Sequence, residues 1–115
     1  MLSISERLQN QDSAGILIVN SHRRIVGFTP NLLRIWNLPE GIIKSLSDQR
    51  ALEFVSERFD NPKLFLKDMT EIYEQTHFEI NEKVQLKDGR IIQRHSKPLC
   101  FNGVYAGRLW MFERH

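Results

Sequence analysis

The sequence lacks several features that would assign it to common functional classes. A single cysteine, Cys100, among 115 residues excludes an intramolecular disulfide and fits a reducing compartment. No apolar run approaches the roughly 20 residues that cross a bilayer. The first residues also lack the basic and apolar regions of a signal peptide. We therefore expect a cytoplasmic chain without membrane insertion.

Neither sign of charge dominates, and the sequence carries no catalytic or metal-binding motif. Sixteen Lys and Arg stand against fourteen Asp and Glu, a formal charge of +2, and no basic stripe suggests nucleic acid. There is no glycine-rich phosphate loop, nucleophile elbow or His-Glu-x-x-His motif. His and Cys pairs at zinc-ligand spacing are also absent. We expect neither an enzyme nor a metal site in this chain.

What the sequence does contain is the pattern of one globular domain. Its length suffices for a single core, and 41% hydrophobic with 26% charged residues is ordinary for a soluble fold. Ser3 and Glu6 match a capping box and predict a short helix that carries Ile4 and Leu8 on one face. We expect a flanking helix at 1–12 and a folded domain at 13–115.

Strands precede helices in the first two thirds of that domain. Two β-rich runs at 16–19 and 24–28 predict a hairpin. Thr29-Pro30 and Asn61-Pro62 each read as a helix cap followed by proline in the first turn. The helical patterns lie at 30–36, 47–59 and 62–75.

The last third reads as a meander of three strands. Asp88-Gly89 and Asn102-Gly103 are both strong signals for two-residue type I′ turns. The order of elements predicts an α+β fold: a five-stranded antiparallel sheet with short helices on one face and an N-terminal flanking helix.

This order of elements, with its sequence signals, resembles the PAS family over about residues 13–113. The segments that carry the resemblance are Gly15–Asn20, Arg24–Asn31, Leu52–Val55, Asn61–Leu66, Leu86–Arg90, Ser96–Pro98 and Gly107–Phe112. The sequence departs from the family pattern at Asn20, His22-Arg23, Thr29 and Asn37, and each change keeps the turn or cap chemistry. The resemblance implies a bacterial sensor domain of the kind attached to histidine kinases or cyclic-dinucleotide enzymes.

The resemblance also implies a set of possible cofactors, which the residues narrow. Flavin-cysteinyl and thioester-chromophore relatives need a cysteine in the helical region, whereas Cys100 lies near the end of a late strand. Haem-bearing relatives use a histidine of the long-helix region, and His77 lies just beyond that helix. A lone histidine there is typical of a solvated helix end, so haem is not predicted. The ligand is left unknown.

Two-residue turns at both hairpins fix a register, and with it a candidate cavity. Leu86 would oppose Ile91, and Glu82 would oppose His95. Phe101 would oppose Val104, and His95 would oppose Trp110. An apolar sheet face with Glu82, His95 and Trp110 at its centre suits a ligand cavity. Pro98 introduces an alternative, since a bulge there would reverse the register. The candidate lining residues are Trp36, Phe59, Phe65, Ile72, Glu82, His95 and Trp110.

Two functions follow from different classes. The first is a sensory domain that binds a small molecule or relays a signal to an output domain, which we expect outside this sequence because the chain stops just after its last strand. The second is a ligand-free dimerisation scaffold with a filled core. Ile4 and Leu8 are the candidate interface for a homodimer, although the same stripe could pack on the sheet of its own chain.

Overall fold

The computed structural model describes residues 14–115. The predicted flanking helix at 1–12, with Ile4 and Leu8, lies outside the described residues. The described part forms five strands and four α-helices. The strands are β1 (Gly15–Asn20), β2 (Ile25–Phe28), β3 (Ile80–Gln85), β4 (Ile91–Phe101) and β5 (Val104–Arg114). The helices are α1 (Pro30–Trp36), α2 (Glu40–Lys44), α3 (Asp48–Ser56) and α4 (Pro62–Glu74).

The five strands form one antiparallel sheet in the order β2-β1-β5-β4-β3. The first and last strands in sequence therefore pair at its centre, where Leu17 lies opposite Trp110. This architecture confirms the predicted α+β fold. Because the four helices lie between β2 and β3 in sequence, they connect the two edges of the sheet across one face.

A side-chain cap begins α3 and α4, whereas α1 and α2 have none. Asn61 Oδ1 accepts a hydrogen bond from the Leu64 amide at 3.1 Å, as its predicted cap role requires. Thr29 precedes α1 as predicted, but its hydroxyl makes no cap bond to that helix. The hydroxyl instead accepts from the Ile16 amide at 3.0 Å. The predicted cap chemistry of Thr29 was therefore wrong, because the side chain ties the start of α1 to β1.

The hairpin turns explain why the predicted register was right at one end of β4 and wrong at the other. Asn102 and Gly103 both have positive φ, 51° and 77°, so Phe101 lies opposite Val104 as predicted. At the earlier turn, only Gly89 has positive φ. The Leu86 amide bonds to the Arg90 carbonyl, and the loop has three residues, a common alternative for a glycine in this position. Every β3–β4 pair is shifted by one residue.

A second shift arises from a β-bulge between β4 and β5. Leu99 pairs with Gly107 and Cys100 with Tyr105, so Ala106 is the extra residue. Gly107 has a φ of 148°, and a Cβ built there would lie 2.1 Å from the Val19 carbonyl oxygen. Only glycine allows β5 to approach β1 this closely. The bulge lies one residue beyond Pro98, where the sequence had indicated that one could form.

Both shifts reverse the predicted orientation of β4. His95 pairs with Asn81 and Met111, not with Glu82 and Trp110. It therefore lies on the face of the sheet away from the helices, because neighbouring side chains on a strand alternate between faces. Arg94 takes the position predicted for His95, opposite Glu82 and Phe112. The predicted triad of Glu82, His95 and Trp110 was wrong, for a one-residue slip exchanges the faces.

The hydrophobic core lies between the helices and the inner face of the sheet. Val19 and Ile92 are fully buried at the centre of the sheet. The core residues contributed by the helices and their connections are Leu32, Ile35, Trp36, Leu38, Ile43, Ala51, Val55, Phe65 and Met69. Two arginines, Arg94 and Arg108, are buried on the same inner face, and they help to define the candidate site.

Candidate functional site

A small cavity of about 40 Å³ lies inside the core. All four helices contribute to its walls on one side, and all five strands contribute on the other. Nearly all of its lining is apolar, including Leu32, Ile43 and Val55, and the polar exceptions are Asp48 and Arg94. The cavity thus lies between the two layers of the fold.

Aromatic side chains occupy most of the space around the cavity. Phe59 and Phe65 stack with their ring centroids 4.2 Å apart, and Phe59 lies 6.3 Å from Trp36. The Trp36 ring meets Phe112 edge-on at 5.2 Å, and Phe112 stacks on Trp110 at 5.9 Å. Such rings bury much apolar area and pack in preferred orientations. The interior is therefore a chain of aromatic rings with one small gap.

A polar network borders the cavity where α3 meets α4 and the sheet. Asp48, only 1% exposed, accepts a hydrogen bond from Arg23 Nη2 at 3.2 Å through Oδ2. The Arg23 guanidinium lies over the Tyr73 ring at 4.3 Å. Tyr73 accepts a hydrogen bond from Trp110 Nε1 at 3.0 Å. Four separate elements, namely the β1–β2 turn, α3, α4 and β5, thus meet through four side chains.

Burial changes the pKa values of two side chains in this network, Asp48 and Tyr73. Burial raises the pKa of Asp48 above its ordinary value of 3.8, although Arg23 and the Tyr73 hydroxyl lower it in part. Burial and the nearby Asp48 carboxyl raise the pKa of the Tyr73 hydroxyl, which stays protonated at physiological pH. The charged form of Asp48 is therefore stabilised chiefly by Arg23, since opposite charge offsets lost solvation.

Arg94 forms the wall between the cavity and the surface. Its Nε donates to Glu82 Oε1 at 2.9 Å, and its Nη2 donates to the same oxygen. Its Nη1 lies 3.5 Å from Met69 Sδ. Arg94 borders the cavity on one side and two surface grooves beside α4 on the other. The Arg94–Glu82 pair therefore closes the cavity at this edge.

Arg108 is fully buried, and no carboxylate of residues 14–115 forms an ion pair with it. Its guanidinium donates to Ser96 Oγ at 2.9 Å and to the carbonyl oxygens of Gln75 at 3.3 Å and Phe78 at 2.5 Å. These two carbonyls follow the last turn of α4, where a positive charge is favourable. Arg108 thus fastens the α4–β3 connection to the centre of the sheet, and desolvation lowers its pKa.

The structure brings together four of the seven predicted lining residues. Trp36, Phe59, Phe65 and Trp110 line the cavity, and their role in binding stays a prediction. Ile72 and Glu82 instead line one of the two surface grooves beside α4.

Sequence reasoning missed Asp48, Arg94 and Tyr73 as members of this site. Asp48 follows the helix cap Ser47 and looks like an ordinary acidic residue of a first helical turn. Arg94 lies within a charged stretch, and its burial followed only from the corrected register. Tyr73 lies within the predicted helix at 62–75, but no sequence signal linked it to Asp48 or Trp110.

The cavity does not fit the larger cofactors of the fold. About 40 Å³ is far below the roughly 300–1,000 Å³ of pockets that enclose drug-sized ligands. His77 is exposed and does not line the cavity, so it could not ligate a haem there. Cys100 is also exposed, at the far end of β4. Among residues 14–115, no three His, Cys, Asp or Glu side chains cluster as metal ligands would.

Comparison with solved structures identifies the fold. The PAS domain of BvgS from Bordetella pertussis is 10% identical with a TM-score of 0.67, over 96% of this chain and 87% of that one. The sensor region of a sensor histidine kinase is 12% identical with a TM-score of 0.65, over 87% of this chain and 38% of that one. No family model and no curated protein matches the sequence.

A third similar structure was solved with a small molecule. It is the PAS domain, in complex with ethanol, of a LuxR-family transcriptional regulator from Burkholderia thailandensis. It is 13% identical with a TM-score of 0.52, over 98% of this chain and 97% of that one. The chain thus has the fold of PAS domains, and it spans well under half the length of the histidine-kinase sensor region. None of the helices in the described range is long and apolar enough to span a membrane.

Proposed function

We propose that this chain is a sensory domain of a signal-transduction protein, and that its interior takes up a small molecule. The observation that carries the proposal is the enclosed apolar cavity between the helices and the sheet. Apolar cavities of this kind can bind small apolar molecules without opening the fold. The ethanol complex of a similarly folded domain supports a ligand of this size, as opposed to a haem or a flavin.

A bound molecule would act by shifting the packing of the helices on the sheet. Trp110, Tyr73 and Asp48 connect β5, α4 and α3 beside the cavity, so a change in cavity volume moves their contacts. A ligand shifts such an equilibrium only by its difference in affinity for the two packings. The central strand β5 contributes Trp110 and Phe112 to the cavity lining, so a change in cavity volume would move this strand.

The partners of this domain follow from the same proposal. We expect an output domain in the same polypeptide, of the histidine-kinase or cyclic-dinucleotide class, and a homodimer inside the cell. We expect no catalytic activity of the domain itself, because the similar structures are described as PAS domains and sensor regions. Sedimentation that finds only monomer at high protein concentration would exclude the homodimer.

A ligand-free dimerisation scaffold is the second candidate, and one observation favours it. The aromatic rings of Trp36, Phe59, Phe65 and Phe112 fill most of the interior, so the core needs no ligand for its stability. The two candidates differ in whether the cavity accepts a guest.

Xenon binding followed by ¹³C-methyl NMR separates the two candidates. Under xenon pressure, we expect shifts at Leu32, Ile43 and Val55, which line the cavity, and none at Ile18 on the outer face of the sheet. The matched control is Ala51→Leu, which extends a lining side chain into the gap and should abolish these shifts. Cavity methyls that do not respond in the parent protein would favour the scaffold.

A further inference from the structure

Asp48 supplies the cavity with a carboxylate oxygen that lacks a hydrogen-bond partner. Its Oδ2 is bound by Arg23, whereas no donor among residues 14–115 lies within hydrogen-bond distance of the buried Oδ1; the nearby Tyr73 hydroxyl, which lowers the pKa of this carboxyl, is the donor with which a guest would compete. A buried acceptor without a donor is costly, and native proteins leave few of them. The carboxyl belongs to a side chain that is 1% exposed and lines the cavity. The cavity therefore contains one open position for a hydrogen-bond donor.

No other side chain of the lining offers such a position. Arg94 is the second polar residue there, and its Nε, Nη1 and Nη2 all contact Glu82 or Met69. The remaining lining side chains are apolar, apart from the indole of Trp110, whose N–H is bound to Tyr73. A guest would thus meet one acceptor and otherwise hydrocarbon or aromatic surface.

The charge around the cavity and the cavity volume further restrict the class of molecule that could bind. Arg23 and Arg94 lie beside the cavity, so a cation would be repelled by two guanidinium groups, while an anion would face the Asp48 carboxylate. A neutral molecule avoids both costs. One water molecule needs roughly 10–15 Å³ of cavity volume. A cavity of about 40 Å³ therefore accommodates about three or four non-hydrogen atoms.

We infer that the cavity selects a small neutral alcohol, whose hydroxyl donates to Asp48 Oδ1 and whose short carbon chain packs on the apolar wall. This inference rests on the proposed function, because it requires that the interior admit a guest. It assigns Asp48 as the residue that determines specificity.

Ethanol and dimethyl ether provide a matched pair of probes. They are isomers with three non-hydrogen atoms each, but only ethanol has an O–H donor. The best ligands of this size bind with a Kd of no less than roughly 0.5 mM, so titration by ¹³C-methyl NMR is the suitable assay. We expect the parent protein to bind ethanol at least tenfold more tightly than dimethyl ether, with shifts at Leu32, Ile43 and Val55.

The variant Asp48→Asn should reverse this preference. If the amide oxygen keeps the bond to Arg23, the NH₂ group replaces Oδ1 at the cavity, so the acceptor becomes a donor. Dimethyl ether, which only accepts, should then bind more tightly than ethanol. The control Asp68→Asn, which neutralises an exposed acid on α4, should keep the preference of the parent.

Each contrary outcome has a distinct meaning. Equal binding of the two isomers to the parent would reject the role of Asp48, while the interior would still be a binding site. A preference that survives in Asp48→Asn would also reject it, and would indicate that Tyr73 supplies the donor to Oδ1. Cavity methyls that respond to neither isomer nor to xenon would reject the proposed function itself.

Discussion

Replacing Gly107 with alanine is expected to destabilise the domain more than any other single methyl addition to a glycine here. Gly107 lies at the bulge where β5 leaves β4 and approaches β1. The added Cβ would lie 2.1 Å from the Val19 carbonyl oxygen and 2.8 Å from the Asn20 Cα. Both are backbone atoms of a paired strand, so no side-chain rotation relieves the contact. Either β5 moves away from β1, or Gly107 changes its conformation.

The magnitude follows from these two costs. A φ of 148° is sparsely populated by residues other than glycine, and holding alanine there costs about 1–3 kcal/mol. Moving β5 by about 1 Å weakens at least two β1–β5 hydrogen bonds, each of which contributes about 0.5–1.5 kcal/mol. We expect a loss of roughly 3–5 kcal/mol, a large share of the 5–15 kcal/mol that stabilises a typical domain.

Urea denaturation followed by tryptophan fluorescence measures this loss. Trp36 and Trp110 are 3% and 1% exposed, so unfolding transfers both indoles into water. The matched control is Gly41→Ala in α2, where the added methyl meets no atom within 4 Å and should stabilise by up to about 1 kcal/mol. A loss below about 1 kcal/mol for Gly107→Ala would show that the strands can separate cheaply and would refute the reasoning.

Four further substitutions test the site. His95→Ala should change the free energy of unfolding by less than about 0.5 kcal/mol, whereas Trp110→Ala should cost about 3–5 kcal/mol; equal losses in urea titrations would contradict the observed register. Because burial raises the pKa of Asp48, the folded state binds the proton of this carboxyl more tightly than the unfolded state does. The stability of the parent relative to Asp48→Asn should therefore fall as the pH rises from about 4 to 7, and a rise in paired urea titrations would contradict this. Glu82→Gln should cost about 1 kcal/mol by weakening the bond to the buried Arg94; thermal unfolding in low salt would detect it, and an unchanged midpoint would show that the pair contributes no stability.

The sequence predicted the elements of the fold better than their relative registers. Asn102-Gly103 determines its turn locally, because both residues adopt positive φ, and the pair Phe101–Val104 was therefore predictable. The placement of Trp110 on the inner face of β5 was correct as well, because Trp110 lines the cavity.

β4 was reversed because the loop before it and the bulge after it each contain one residue more than the simplest geometry. The loop that contains Gly89 has three residues, and the extra residue Ala106 reflects the approach of Gly107 to β1, a tertiary contact that no local pattern encodes. The sequence of β4 offers little correction, because residues 93–97 are all polar and the adjacent apolar pairs Ile91-Ile92 and Leu99-Cys100 place apolar side chains on both faces. A buried arginine such as Arg94 is uncommon enough that the default interpretation placed it in solvent.

The ion pair between Arg94 and Glu82 should affect how fast a guest enters and leaves the cavity more than how tightly the guest binds. It forms part of the wall between the cavity and two surface grooves, and the Glu82 side chain is 49% exposed. Dissolved salt screens exposed charges more strongly than buried ones. Raising the ionic strength should therefore speed both entry and escape of a guest while leaving its equilibrium occupancy unchanged. The salt concentration around such a domain would then set how quickly it responds, while the cavity sets the concentration at which it does.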